Sequence, residues 1–332
     1  MLLSATKISS VEEKLDLLER LFEKNAILIA YEYAQNKNWK QILASDAIIN
    51  AFEIPEDKLY TIYVPSRFIR RFKAAYRASH PARCIRSLTI SEKENFAVCA
   101  HGLPPMLHLR DFTQREILLS KKNYISEKLN GMNIEIFKHQ NLYIVKNKQK
   151  ILLASKDLEE LNVPEGTAVG ARIRAFLDYL ERATRNQQVL TFVICAPRKQ
   201  WRAQYAEECG SENSWLSRLN INKTTSCDFI PVIDYPETKV ALTGIVNFPY
   251  TFYPQDIVDD LARAFDIPRP ALLPASSVNL KDKNVPAPPN TDFSEGYVLH
   301  MHNSDVVVKN ISASFELQAH QINTIGKSLG VL

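Results

Sequence analysis

The stretch NIEIFKHQNLYIVKNKQKIL, residues 133–152, decides the architecture. Its apolar residues Ile134, Ile136, Leu142, Ile144, Val145, Ile151 and Leu152 fall in short runs, broken at His139-Gln140-Asn141 and again at Asn147-Lys148. Runs of this length separated by polar turn residues predict three strands in a meander, because period-2 alternation lets one face of a pleated strand meet the core. On the C-terminal side Val169, Ile173, Phe176, Leu177 and Leu180 recur at helical spacing, which predicts an amphipathic helix. Candidate strands follow at 189–195, 228–234 and 239–248. Pro254 suits a helix start, and Ile257, Val258, Leu261 and Phe265 mark a helix that ends by Ile267, before Pro268.

From Pro268 to Asp292 six of the seventeen prolines occupy 25 residues, too many for a regular helix or a central strand. This segment reads as an extended strap or linker. Beyond it, 297–302 and 306–311 form an expected hairpin turning at Asn303-Ser304 and rejoining the middle sheet. Upstream, Ser10 and Glu13 make a capping box for a helix over 11–24, carried by Val11, Leu15, Leu18 and Phe22. Residues 26–33 suit a buried strand or a second helix, and 39–52 read as helix. Strands and helices do not alternate regularly, so the expected fold class is α+β. It comprises a helical N-terminal region over 1–110, an α+β domain over 111–267, the Pro-rich strap over 268–292 and a C-terminal hairpin over 293–332 that packs back on the α+β domain.

Composition narrows the classes. The 332 residues are 45% apolar and 23% charged, values of an ordinary globular chain, while nine glycines leave little material for glycine-lined phosphate loops. Five cysteines (84, 99, 195, 209 and 227) contain no C-x-x-C pair, so neither a disulfide framework nor a zinc knuckle is indicated and a reducing cytoplasm fits. The longest apolar stretch, 26–31, is far below the ~20 residues of a membrane span. Neither a cofactor nor a metal is expected.

The net charge of +4 conceals a division. No acidic residue lies between Asp57 and Glu92, whereas Lys58, Arg67, Arg70, Arg71, Lys73, Arg77, Arg83 and Arg86 do. On a helical wheel at about 100° per residue, Phe68, Ile69, Phe72, Ala75 and Tyr76 share one side of 66–77 and the bases an arc of about 160° on the other. A basic amphipathic helix of this kind suits phosphate backbones or an acidic protein groove, and its arginine forks favour defined oxygen contacts. The plain alternative is a solvated face. The leading expectation is therefore a non-catalytic binding protein of a larger assembly that engages an anionic partner, nucleic acid first, through Arg67, Arg70, Arg71, Lys73, Arg77, Arg83 and Arg86. A structural adaptor docking an acidic protein is a further reading.

Catalytic patterns are few. His300-Met301-His302 puts two imidazoles on one face of a strand, and this His-hydrophobe-His strand resembles the metal-binding core of the HUH endonucleases, which implies a metal-dependent nickase with a tyrosine nucleophile; His320 is the available third histidine. Glu237-Thr238-Lys239, with Asp228 or Asp234 upstream, resembles the E-x-K half of the PD-(D/E)xK nucleases, implying a Mg²⁺-dependent nuclease. Two half-exposed histidines on a hairpin, and a polar turn beside Pro236, are the corresponding structural readings. Gly326-Lys327-Ser328 is similar to the end of a Walker A loop, but Gln321 stands where its first glycine belongs, so the loop cannot wrap a phosphate. Residues 171–178 are similar to the last helix of LysR-type regulators, without the helix-turn-helix of that family. Trp201 and Trp215, near Arg198, Lys199 and Arg202, could stack bases or simply pack.

Overall fold

The computed structural model describes residues 5–25, 37–65, 86–102, 106–109, 124–162, 168–184, 187–201, 232–247, 251–273, 295–301 and 307–328. The fold is α+β, with three sheets among the described residues. The first is antiparallel: β1 (Thr6–Ile8), β2 (Ile48–Ile54), β3 (Asp57–Tyr63), β4 (Ser87–Ser91) and β5 (Ala97–His101), in that spatial order. The second holds β8 (Met132–His139), β9 (Leu142–Lys146), β10 (Ile151–Ser155), β11 (Gln188–Cys195), β12 (Lys239–Asn247) and β13 (Thr251–Phe252), ordered β10-β9-β8-β11-β12-β13. The third is β6 (Leu107–His108), β15 (Val307–Ile311), β14 (Gly296–His300) and β7 (Tyr124–Glu127), ordered β6-β15-β14-β7.

The meander over 133–152 forms as expected, with His139 opposite Leu142 across a tight turn and Gln140 at φ 53°. The central strand β11 is buried along all eight residues, which its uninterrupted run Val189–Cys195 accounts for. One face of the second sheet is covered by α3 (Val169–Ala183) and α4 (Gln255–Ala264), through Ile173, Phe176, Leu180, Val258 and Ala262. The other face meets the first sheet, where Phe137, Ile144 and Val246 pack with Phe52, Ile54 and Leu59. The far side of the first sheet carries α1 (Val11–Lys24) and α2 (Lys37–Asp46), whose core also takes in Ile125, Tyr297, Leu299 and Val308 of the third sheet. Ser10 caps α1, its hydroxyl accepting from the Glu13 N–H at 3.3 Å. The helix α5 (Ala313–Ser328) follows β15. No described helix is long and apolar enough to cross a membrane.

Several expectations change. The N-terminal region is not simply helical: it contributes a five-stranded sheet, because 39–52 is helix only to Asp46, after which Ile48-Ile49 opens a strand paired with β3. β-Branched residues lose little in extended backbone, and Pro55-Glu56, with Glu56 at φ 65°, turns the chain back within two residues. Residues 232–234 do not form a strand; the Val232 and Ile233 N–H groups donate to Asn130 Oδ1 at 2.9 and 3.1 Å instead of to a neighbouring strand. The hairpin β14–β15 forms, with Gly296 opposite Ile311, but it joins β7 and β6 rather than the middle sheet. The described start of the Pro-rich strap is extended along β7: Leu273 N–H donates to Ile125 O at 2.9 Å and Glu127 N–H to Ala271 O at 2.8 Å.

Candidate functional site

Between β7 of the third sheet and β8 of the second, the chain passes through Lys128-Leu129-Asn130-Gly131, and each residue of this turn is fixed by a different force. Leu129 is buried against Val193, Cys195 and Ala241. Asn130 is a three-way junction: its Oδ1 accepts the two N–H groups of 232–233, its Nδ2 donates to Glu295 Oε2 at 3.2 Å, and its N–H donates to Tyr235 Oη at 3.0 Å. At Gly131 a Cβ would stand 2.1 Å from the Ile194 carbonyl oxygen, so the backbone approaches β11 more closely than any side chain permits. Lys128 N–H donates to Gly296 O at 2.8 Å, and its ammonium donates to Glu295 Oε1. Glu295 thus holds both the lysine and the asparagine of the turn. Gly296 beside it sits at φ 144°, where a Cβ would lie 2.0 Å from Asn310 O.

Lys128 faces a cavity of about 170 Å³. Around it stand four further cations from separate parts of the chain: Arg86 just before β4, Lys148 in the β9–β10 turn, Arg269 in the strap and Lys309 on β15. Glu127 is the one carboxylate among the described lining residues, and it accepts from Ala271 N–H at 3.0 Å with Lys239 Nζ at 3.7 Å. Arg86 Nε is buried with no hydrogen-bond partner among the described residues. Burial, with Arg86 beside it, pulls Lys148 down to about 7. Arg269 is the most firmly held: it donates to Asp259 at 2.7 Å, Gln255 Oε1 at 2.6 Å, Leu242 O at 2.7 Å and Tyr124 Oη at 3.3 Å. His300 also lines the cavity, edge-on to Tyr124 with ring centroids 6.0 Å apart. Burial and then the Arg269 charge push it down to about 3, so it is a neutral imidazole.

A second polar layer lies between the sheets beneath this turn. Lys146, fully buried, is 2.7 Å from Glu135 Oε2 and donates to Ser87 Oγ at 2.8 Å. Ser87 Oγ in turn lies 3.2 Å from the Lys148 carbonyl. His101, 3.0 Å from Asn247 O through Nε2, is lowered to about 4 by burial.

Of the residues expected to bind an anion, Arg67, Arg70, Arg71, Lys73, Arg77 and Arg83 lie outside the described residues, as does the helix expected over 66–77. Arg86 is described, and it lines the cavity rather than an outer face. His302, Trp215 and Arg202 likewise lie outside. His300 is in place, His320 sits on α5, and among the described residues no three His, Cys, Asp or Glu side chains could hold a metal ion together. Glu237 is exposed while Lys239 turns to Glu127, so the E-x-K pair does not converge. Trp201 is buried, its Nε1–H donating to Ala196 O at 3.1 Å, which makes it a packing residue and not a stacking platform. The lysines at 128, 148 and 309 and Arg269 were not legible as a group, being spread over 180 residues with no charge run. The available signal was glycine: in a chain with nine, Gly131 and Gly296 each stand within three residues of the Lys128–Glu295 pair.

No protein-family model and no curated protein matches the chain. Solved structures do. A mutant Naegleria gruberi RNA ligase with ATP and Mn is 12% identical over 66% of this chain and 58% of its own, with a TM-score of 0.44. A second mutant of that ligase with ATP and Mn is 11% identical over the same shares, TM-score 0.42, and the ligase with PPi is 11% identical, again over 66% and 58%, TM-score 0.41. The chain therefore spans less than two thirds of the length of the structures it matches. These are structures of an enzyme, and the reading as a non-catalytic binding protein or adaptor of a larger assembly is corrected on that finding.

Proposed function

We propose that the chain is a nucleotide-binding enzyme that works at this cavity, with Lys128 as the group that bonds to phosphorus. The observation that carries the reading is that Lys128, paired with Glu295, lines a cavity to which Arg86, Lys148, Arg269 and Lys309 bring four more basic side chains against one carboxylate among the described lining residues. Such an excess suits a polyphosphate, whose oxygens accept charge-assisted hydrogen bonds from lysine and from arginine forks. Glu295, touching Nζ, is placed to take the proton.

In that chemistry the Lys128 amine attacks the α-phosphorus of a nucleoside triphosphate. The ammonium proton passes to Glu295 as the amine attacks, a P–N bond forms, the bond to the bridging oxygen breaks, pyrophosphate leaves with the bonding electrons, and the proton that the new P–N nitrogen sheds goes to the departing pyrophosphate. Arg86, Lys148 and Lys309 stabilise the charge that accumulates on the phosphate oxygens. Nucleic acid is the proposed partner class: the acid-free window from Lys58 to Arg86 carries eight bases in the sequence, and its last residue, Arg86, lines the cavity.

Incubating the protein with each α-³²P nucleoside triphosphate, with Mg²⁺ or Mn²⁺, tests the reading. Label should remain on the denatured chain, withstand alkali and be released by acid, as a phosphoramidate requires, and Lys128→Met should take none. Full labelling of Lys128→Met, or neither labelling nor nucleotide binding by the wild type, overturns it.

A further inference from the structure

Lys148 stands in the β9–β10 turn with positive charge on several sides. Arg86 comes from the segment before β4, Lys128 from the turn after β7 and Lys309 from β15, while Arg269, His108 and His300 complete the charged and titratable lining. Among the described residues three carboxylates bear on this group, of which Glu295 is taken by Lys128 and Asn130. Glu127 is engaged by the Ala271 N–H and by Lys239, and Glu135 of β8 is neutralised by Lys146 at 2.7 Å. An ammonium ion at position 148 therefore meets repulsion from Arg86, Lys128 and Lys309 in a partly desolvated site, and an anion entering the cavity relieves it.

We propose that the cavity takes up a phosphate-bearing ligand together with one proton, and that Lys148 is the residue that receives it. The proposal rests on the reading of the cavity as a nucleotide-phosphate site. Before the ligand arrives, loss of one charge at Lys148 eases the crowding of Arg86, Lys128 and Lys309. When phosphate oxygens arrive, a proton from buffer converts the amine to an ammonium, which then offers three donors. The direction of burial and the neighbouring cations supports this, since both pull Lys148 down to about 7. The sign follows from linkage: the bound state holds the proton more tightly than the free state, so affinity is greatest below the free value. It falls by up to tenfold per pH unit as pH rises through that value towards the bound one.

Isothermal titration of the full chain with α,β-methylene-ATP, which cannot lose pyrophosphate, at pH 8 in buffers of different ionisation enthalpy reads the proton count directly. A group with a value near 7 is about nine-tenths neutral at pH 8, so the wild type should take up close to one proton more than Lys148→Arg. Lys148→Arg keeps the charge without titrating, so it should match the wild type at pH 6.5 and bind about tenfold tighter at pH 8. Lys148→Met, with no charge to gain, should bind weakly at both pH values and take up no extra proton. Circular dichroism of each variant establishes that it is folded. Equal proton uptake and equal pH dependence in wild type and Lys148→Arg overturn the proposal while leaving the nucleotide site standing. Absence of binding at every pH in all three proteins overturns both.

Discussion

At the scale of single residues, the site depends on positions where a side chain is missing. A methyl group added at Gly131 would sit 2.1 Å from a backbone carbonyl of β11, and β11 is the most deeply buried strand of its sheet, so neither partner can yield cheaply. Gly131→Ala is expected to lose about 1–3 kcal/mol of stability, read from the urea midpoint. Labelling by nucleotide should fall further than the remaining folded fraction explains, because Lys128 is carried on the displaced turn. Lys128 itself gave no signal in the sequence. A lysine after a strand is ordinarily solvent-facing, and what distinguishes this one is a carboxylate 167 residues away. Arg86, by contrast, was legible as a cation, though a charge count says how many arginines there are and not which of them lines a cavity.

At the scale of elements, the strands with clear alternation or an unbroken β-branched run were legible: β8, β9, β10, β11, β12 and the β14–β15 hairpin. The first sheet was not, because the run from Trp39 to Phe52 carries helical and extended preferences in succession, and only pairing with β3 decides where one gives way to the other. The inter-sheet polar layer was hidden for the same reason. Glu135 and Lys146 sit at ordinary polar positions of adjacent strands, opposite one another in the β8–β9 register, and both are buried only because the first sheet closes over them. A buried pair of this kind is costly to break and cheap to replace whole. Lys146→Met alone is expected to lose about 3–5 kcal/mol by stranding Glu135, and the double variant Glu135→Met, Lys146→Met to recover most of it. Denaturant unfolding of the two singles and the double closes the cycle, and additive losses would show that the pair is not coupled.

For the whole molecule, the joint between the first and second sheets carries a pH dependence. Asp57, at the start of β3, has a fully buried side chain; it lies 2.8 Å from His139 Nε2 at the end of β8, and accepts from Ser91 Oγ at 2.7 Å and from the Lys58 and Lys93 N–H groups. Hydrogen bonds from Ser91, Lys93, His139 and Lys58 outweigh burial and hold its carboxyl below the usual range. A carboxylate depressed in the folded state contributes stability that is fully present above its unfolded value, near 3.9, and is lost as pH falls through the folded value. Asp57→Asn should therefore be less stable than the wild type at pH 7, and the gap should narrow as the pH is taken below about 4; a gap independent of pH in thermal melts would remove Asp57 from acid unfolding.

The partner that anchors Lys128 and Asn130 is supplied late in the polypeptide. By the time a ribosome has released the second sheet, the turn bearing Lys128 already exists, yet its counter-ion at position 295 has still to be synthesised. On the proposed reading, a product cut short before residue 295 would present the Lys128 amine without the carboxylate placed to take its proton, and should acquire no nucleotide label.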